Sequence, residues 1–199
     1  MKPVNRRFAL AALLAGGTLL GCGPDKPAFQ AIDITGAQYA RRLELPDASG
    51  KSRTLADFSG HVVAVFFGYT QCPDVCPTTM AEINEVRQKL GPDGDKLQAV
   101  FVTVDPERDT PEVLTAYVAN FGRDVVGLRG TLDQTKAAAQ EFKVFFAKVP
   151  GSSAGSYSID HTAGLYIFDP KGRIRLFLRQ GNGSASALEH DVRLLLAGA

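Results

Sequence analysis

Apolar and polar positions along the chain fall into blocks whose period switches between strand-like and helix-like. Val62-Val63-Ala64-Val65-Phe66-Phe67 is an unbroken apolar run closed by Gly68, and 97–104 (Leu-Gln-Ala-Val-Phe-Val-Thr-Val) is a second. β-Branched and aromatic runs of this length predict buried strands. Between them Met80, Ile83, Val86 and Leu90 recur at helical spacing, and Gly91-Pro92 ends that helix. Thr110 and Pro111 then suit the cap and first position of a helix with Val113, Leu114, Tyr117, Val118 and Phe121 on one face. Residues 125–128 predict a short strand, and Thr131 caps a helix over 132–142.

The flanks are less regular. Arg42-Leu43-Glu44-Leu45 alternates, Asp47-Ala48-Ser49-Gly50 reads as a turn, and Ser52-Arg53-Thr54-Leu55 pairs back as a hairpin. Residues 144–149 lead into a mobile-looking Gly/Ser loop over 150–156. Asp160-His161-Thr162 follows as a polar loop before the strand Gly164-Leu165-Tyr166-Ile167-Phe168. Asp169-Pro170-Lys171-Gly172 turns the chain into Ile174-Arg175-Leu176-Phe177-Leu178, and Ser184 opens a last helix with Leu188, Val192, Leu195 and Leu196 on its apolar side. The order is that of an α/β domain, with helices on both faces of a mixed sheet and an N-terminal β-hairpin.

The N-terminus departs from this pattern. Lys2, Arg6 and Arg7 precede an apolar stretch over 8–20, too short to span a bilayer comfortably, so residues 1–21 predict a signal peptide. It ends Leu19-Leu20-Gly21-Cys22, which resembles the lipobox of bacterial lipoproteins and makes Cys22 the candidate acylated residue. Residues 22–38 then form a lipidated tether, and 39–199 the folded domain. Localisation follows as the bacterial envelope, anchored to a membrane by lipid and facing the periplasm or the exterior. Removing the signal takes three of the 22 basic residues and no acidic one, leaving 19 against 21. With no basic block, nucleic acid is an unfavourable partner.

Of three cysteines, one is assigned to lipid, which leaves Cys72 and Cys76 as a pair in an oxidising compartment. They stand in Gly68-Tyr69-Thr70-Gln71-Cys72-Pro73-Asp74-Val75-Cys76-Pro77, where a core strand hands over to a helix. A helix N-terminus favours the thiolate, the reactive and metal-binding form. Two residues four apart on a helix have Cβ atoms about 5–6 Å apart, whereas a disulfide wants about 3.8 Å. A trigonal metal site, with metal–sulfur bonds of about 2.3 Å, holds its sulfurs about 4 Å apart. The spacing therefore suits a metal, and closes a disulfide only if Cys72 lies in the loop or the first turn unwinds. Soft thiolates select Cu(I), Zn or iron–sulfur clusters. Four-cysteine sites are excluded by count, so a third ligand is required. His61 lies at the wrong end of its strand, and His190 reads as a surface or half-buried helix residue. His161 is the best-placed candidate, with Asp160 beside it to orient the ring. Asp105-Pro106-Glu107-Arg108-Asp109 reads as a loop bordering the site or a partner surface, and Met80 as a core residue.

The cysteine motif, then Val104-Asp105-Pro106-Glu107-Arg108-Asp109-Thr110, then Asp160-His161-Thr162 before a strand, resembles the Sco/SenC family from about residue 39 onward. The resemblance implies a thioredoxin-like fold and a copper-binding assembly factor for cytochrome c oxidase. Cys72, Cys76 and His161 would be the ligands of Cu(I) and Cu(II). The implied partners are the copper-bearing oxidase subunit or another copper chaperone. Many family members carry a transmembrane helix where this chain has a lipobox. A thiol–disulfide oxidoreductase acting through Cys72 and Cys76 is the alternative function, and a thiol peroxidase a weaker one. His161 separates the first two, because exchange does not need it. The loop over 150–156 is expected to let the imidazole swing away during ligand exchange.

Overall fold

The computed structural model describes residues 28–199 apart from 154 and 182; the expected signal peptide and Cys22 lie outside them. The two apolar runs become the centre of the sheet, as β4 (Val62–Gly68) and β5 (Leu97–Thr103), parallel and in register with Phe66 beside Phe101 and Gly68 beside Thr103. Every residue of β4 is buried, which is why its sequence does not alternate. On one side β6 (Val126–Leu128) continues the parallel array. On the other, β9 (Gly164–Phe168) runs antiparallel to β4, and β10 (Ile174–Arg179) antiparallel to β9. The outermost strand is β1 (Ile32–Asp33), giving the order β1-β10-β9-β4-β5-β6.

Helices cover both faces, as expected. The connections between the parallel strands place α1 (Val75–Lys89) and α2 (Pro111–Val118) on the Phe66 face, where Tyr117 meets Phe101. There α1 also packs against α4 (Ser184–Leu196). The opposite face takes α3 (Leu132–Phe142), whose Phe142 ring lies 5.0 Å from Phe67 and 5.2 Å from Tyr166. The caps follow their residues. Thr110 accepts from the Val113 N–H ahead of Pro111, and Thr131 and Gln134 form a reciprocal capping box. On α2, Val113 departs from the predicted apolar face and is exposed. The predicted N-terminal hairpin is β2 (Glu44–Pro46) against β3 (Ser52–Thr54), closed by Asp47.

Two expectations need correcting. The tether does not run to residue 38: Ile32 and Asp33 pair with Phe177 and Leu176, and the Gln30 and Ala31 N–H groups donate to the Asp191 carboxylate at 2.9 and 2.8 Å. A two-residue edge strand is too short to show a period. The segment before residue 164 is not an open loop either. β7 (Phe146–Pro150) and β8 (Tyr157–His161) form a separate two-stranded ribbon, with Phe146 opposite His161 and Pro150 opposite Tyr157. The Gly/Ser stretch is its turn, closed by the Gly151 N–H donating to the Ser156 carbonyl at 2.8 Å.

Candidate metal centre

At the C-terminal end of β4 the chain leaves the sheet at Gly68, and its carbonyl accepts from the Val104 N–H at the end of β5. Cys72 sits in the loop that follows, while Cys76 is the second residue of α1 and fully buried. Because Cys72 is outside the helix, the ideal helical separation of the two thiols does not apply. Both are free thiols.

Gly68 is what lets the second sulfur lie on the sheet. A Cβ there would fall 2.8 Å from Cys76 Sγ and 2.8 Å from the Phe66 ring. No side chain larger than hydrogen fits so close an approach. The loop between the strand and the thiols is tied down from β5. Asp109, fully buried, accepts from the Thr70 N–H at 3.1 Å, the Thr70 hydroxyl at 2.6 Å and the Thr103 hydroxyl. Charge-assisted bonds of this kind are about twice as strong as neutral ones, and here three converge on one carboxylate.

The third group arrives from the ribbon. His161 Nε2 lies 3.4 Å from Cys76 Sγ, and the ligand atoms of Cys72, Cys76 and His161 all lie within 4.8 Å of one another. The imidazole is held edge-on between Phe66 and Tyr69, at centroid distances of 5.9 and 6.0 Å. Its Nδ1 faces the Thr162 carbonyl at 3.1 Å. A carbonyl only accepts, so Nδ1 carries the proton and Nε2 turns its lone pair toward the sulfurs. The orienting partner is thus the Thr162 backbone and not the Asp160 side chain, which is exposed. Asp160 acts only through space, favouring the charged ring.

The electrostatics favour metal over free thiolate. Burial pushes the Cys76 thiol far above its ordinary range and outweighs the Tyr69 backbone N–H that favours the anion. Burial also lowers the His161 pKa, countered only in part by the Thr162 carbonyl and Asp160, so the ring is neutral at neutral pH. A buried neutral thiol is a weak nucleophile, but a soft cation displaces its proton. Two sulfurs and one imidazole nitrogen fit such a cation and leave an open position. Among the described residues no other group of three such side chains converges. His61 Nδ1 lies near the Phe58 carbonyl at the far end of β4, and His190 pairs with Asp191 inside α4. Met80 is buried in the core.

The 105–109 loop borders the site, as expected, without offering it a ligand. Gly68, Asp109 and Arg108 act through tertiary contacts, and only the clustering of Asp105, Arg108 and Asp109 between a strand and a capped helix marks the loop at all.

Known proteins are similar to this chain in sequence and in fold. The model of the SCO1/SenC family matches residues 33–197. A mitochondrial SCO2 homologue of Danio rerio is 38% identical over 132 residues, covering 65% of this chain and 47% of that protein. The copper-bound structure of Bradyrhizobium japonicum ScoI is 37% identical with a TM-score of 0.69, over 78% of this chain and 98% of that one. The apo Sco1 structure from Thermus thermophilus is 33% identical with a TM-score of 0.73, over 86% of this chain and all of that one. The chain spans from about half to three quarters of the length of the curated relatives it matches. The family model covers most of the domain, and the cysteine loop, the 105–109 loop and the histidine ribbon meet in one place. The chain belongs to the SCO1/SenC family.

Proposed function

We propose that this protein binds copper through Cys72, Cys76 and His161 and delivers it to the dinuclear copper centre of cytochrome c oxidase. The observation that carries this reading is the convergence of two thiols with an imidazole whose free lone pair faces them. The copper bound in the ScoI structure supports the choice of metal. Three ligands leave a place for an incoming thiolate or imidazole, so transfer to the oxidase subunit, or receipt from another chaperone, proceeds by ligand exchange. Delivery acts on a membrane enzyme. The charged and apolar pattern of residues 1–21 and the Leu-Leu-Gly-Cys sequence support a lipid anchor on Cys22 at the bacterial envelope. Among the described residues no helix is long and apolar enough to cross a membrane.

Titrating the reduced protein with Cu(I) against a competing chelator, and repeating it with His161→Ala, tests the site. One equivalent bound tightly, and weakened at least tenfold by the substitution, is the expected result. Unchanged affinity would refute the three-ligand site. Thiol exchange with client disulfides that persists undiminished in that variant would then favour the oxidoreductase alternative. Oxidase copper content in cells lacking the gene tests delivery, and membrane release of Cys22→Ala tests the anchor.

A further inference from the structure

The two halves of the site come from separate parts of the fold, and something must set the distance between them. The thiols hang from the central sheet, whereas His161 ends a ribbon outside it. Beside the Tyr69 side chain's bond to the Ile159 backbone, several contacts from the ribbon back to the body converge on one side chain. Arg108 Nη1 donates to the Tyr157 carbonyl at 2.8 Å and to Gln71 Oε1, in the cysteine loop, at 3.1 Å. Its Nε donates to Asp105. Its guanidinium lies over the Tyr157 ring, 3.6 Å from the centroid, and 5.7 Å from that of Tyr69. Tyr157 closes the circuit, its hydroxyl donating to the other Asp105 oxygen at 2.9 Å.

Arg108 is itself held firmly. Asp105 is buried, its N–H donates to the Thr103 hydroxyl, and its carbonyl accepts from the Asp109 N–H at 2.9 Å. Arg129 adds bonds to the Asp109 and Pro106 carbonyls, both at 2.8 Å. By contrast, Lys148–Glu107, another contact from the ribbon to this loop, is an exposed ion pair, a class that contributes little. We infer that Arg108 is a positioning residue for the metal site: without touching the ligands, it clamps the strand carrying His161 to the loop carrying Cys72. The planar fork matters, since one nitrogen reaches both halves while another holds Asp105, and a lysine cannot do this.

This inference rests on the three-ligand reading, so its test is a double-mutant cycle on the full chain with Cu(I) as the probe. Arg108→Gln is expected to weaken copper roughly tenfold, at the low end of what losing an orienting residue costs. In a His161→Ala background it is expected to cost nothing further, because a clamp that acts through His161 has nothing left to position. Arg108→Lys is expected to behave like Arg108→Gln. The Cu(II) paramagnetic resonance spectrum of Arg108→Gln is expected to shift toward that of His161→Ala, a change that simple destabilisation would not produce. Tyr157→Phe, which loses the hydroxyl bond but keeps the ring, is expected to move the same way by less, and carries the cycle if Arg108→Gln does not fold. Additive losses, or full function in Arg108→Lys, would overturn the clamp while leaving the site intact. Unchanged affinity in His161→Ala alone would instead refute the three-ligand reading.

Discussion

The two halves of the metal centre are built in opposite ways. The thiol half belongs to the core: β4 is fully buried, Gly68 admits the Cys76 sulfur against the sheet, and Asp109 ties the intervening loop to β5 with two hydrogen bonds from Thr70 and one from Thr103. The imidazole half sits on a two-stranded ribbon with an exposed outer arm, including Phe145 beside it at 64% exposure. A two-stranded ribbon by itself is marginal in water, and this one is held to the body through the Arg108–Tyr157 contacts and the buried Ile159 and not by pairing with the central sheet. Such elements open at a fraction of the global free energy. On the proposed three-ligand site, a soft cation would meet two sulfurs already in place and one nitrogen on a more separable element. That asymmetry is what the proposed ligand exchange needs: the sulfurs would retain the metal while the nitrogen yields its position to a partner's ligand.

Gly68→Ala attacks the rigid half and is expected to have the largest effect. Its methyl would meet Cys76 Sγ and Phe66 at 2.8 Å and Phe101 at 3.1 Å. Overpacking of this sort costs about 1–3 kcal/mol, measurable by thermal unfolding of the reduced protein, with copper affinity falling alongside. If stability and affinity both stay at the native level, the close approach is not the constraint described here.

Acid is expected to act on the two halves differently. Because burial raises the Cys76 pKa, copper displaces its proton throughout the physiological range, and Cu(I) affinity rises with pH by roughly tenfold per unit for each proton released. Because burial lowers the His161 pKa, the ring stays neutral as pH falls below the ordinary histidine value of about 6.5, and protonation competes with its bond to the metal only under that pH. Competition titrations between pH 5 and 8 check this. A steeper dependence setting in already above pH 7 would contradict the lowered histidine.

The smallest effect is expected outside both halves. Asp47 closes the β2–β3 hairpin, and the Ser49 hydroxyl, followed by Arg53 and the Ser49 and Lys51 N–H groups, lowers its pKa to about 2. Its folded pKa lies below the unfolded one, so its contribution is present above about pH 4 and lost as pH falls toward 2. Asp47→Asn is expected to cost about 1 kcal/mol or less near neutral pH, to remove that acid dependence and to leave copper binding untouched. Weakened copper binding in this variant would mean that the site is not as local as the comparison requires.

The same contrast explains what was legible in the sequence. The thiol half was read closely because buried parallel strands appear as unbroken apolar runs and because helix boundaries carry caps; α3 begins and ends where Thr131 and the periodicity place it. His161 stands out in the sequence as a candidate ligand through its chemistry, and the structure brings it to the two thiols, but its setting on a ribbon is not legible there. Phe146–Pro150 and Tyr157–His161 are half exposed and interrupted by Pro150 and the Gly/Ser turn, so their pairing leaves little period to detect. Asp160 was the natural orienting partner by adjacency, yet alternation along β8 sends it away from the site while the Thr162 carbonyl takes Nδ1. The roles of Gly68, Arg108 and Asp109 depend on which strands become neighbours, which no local pattern states.

Hydrogen exchange on the reduced protein, with and without one equivalent of Cu(I), tests the asymmetry most directly. The expected result is that amides of residues 146–150 and 157–162 exchange fast in the apo protein and become protected on binding copper, while those of 63–68 are protected equally in both. Ribbon amides as protected as the β4 amides before copper is added, and unchanged afterwards, would contradict a fixed thiol half and a movable imidazole half.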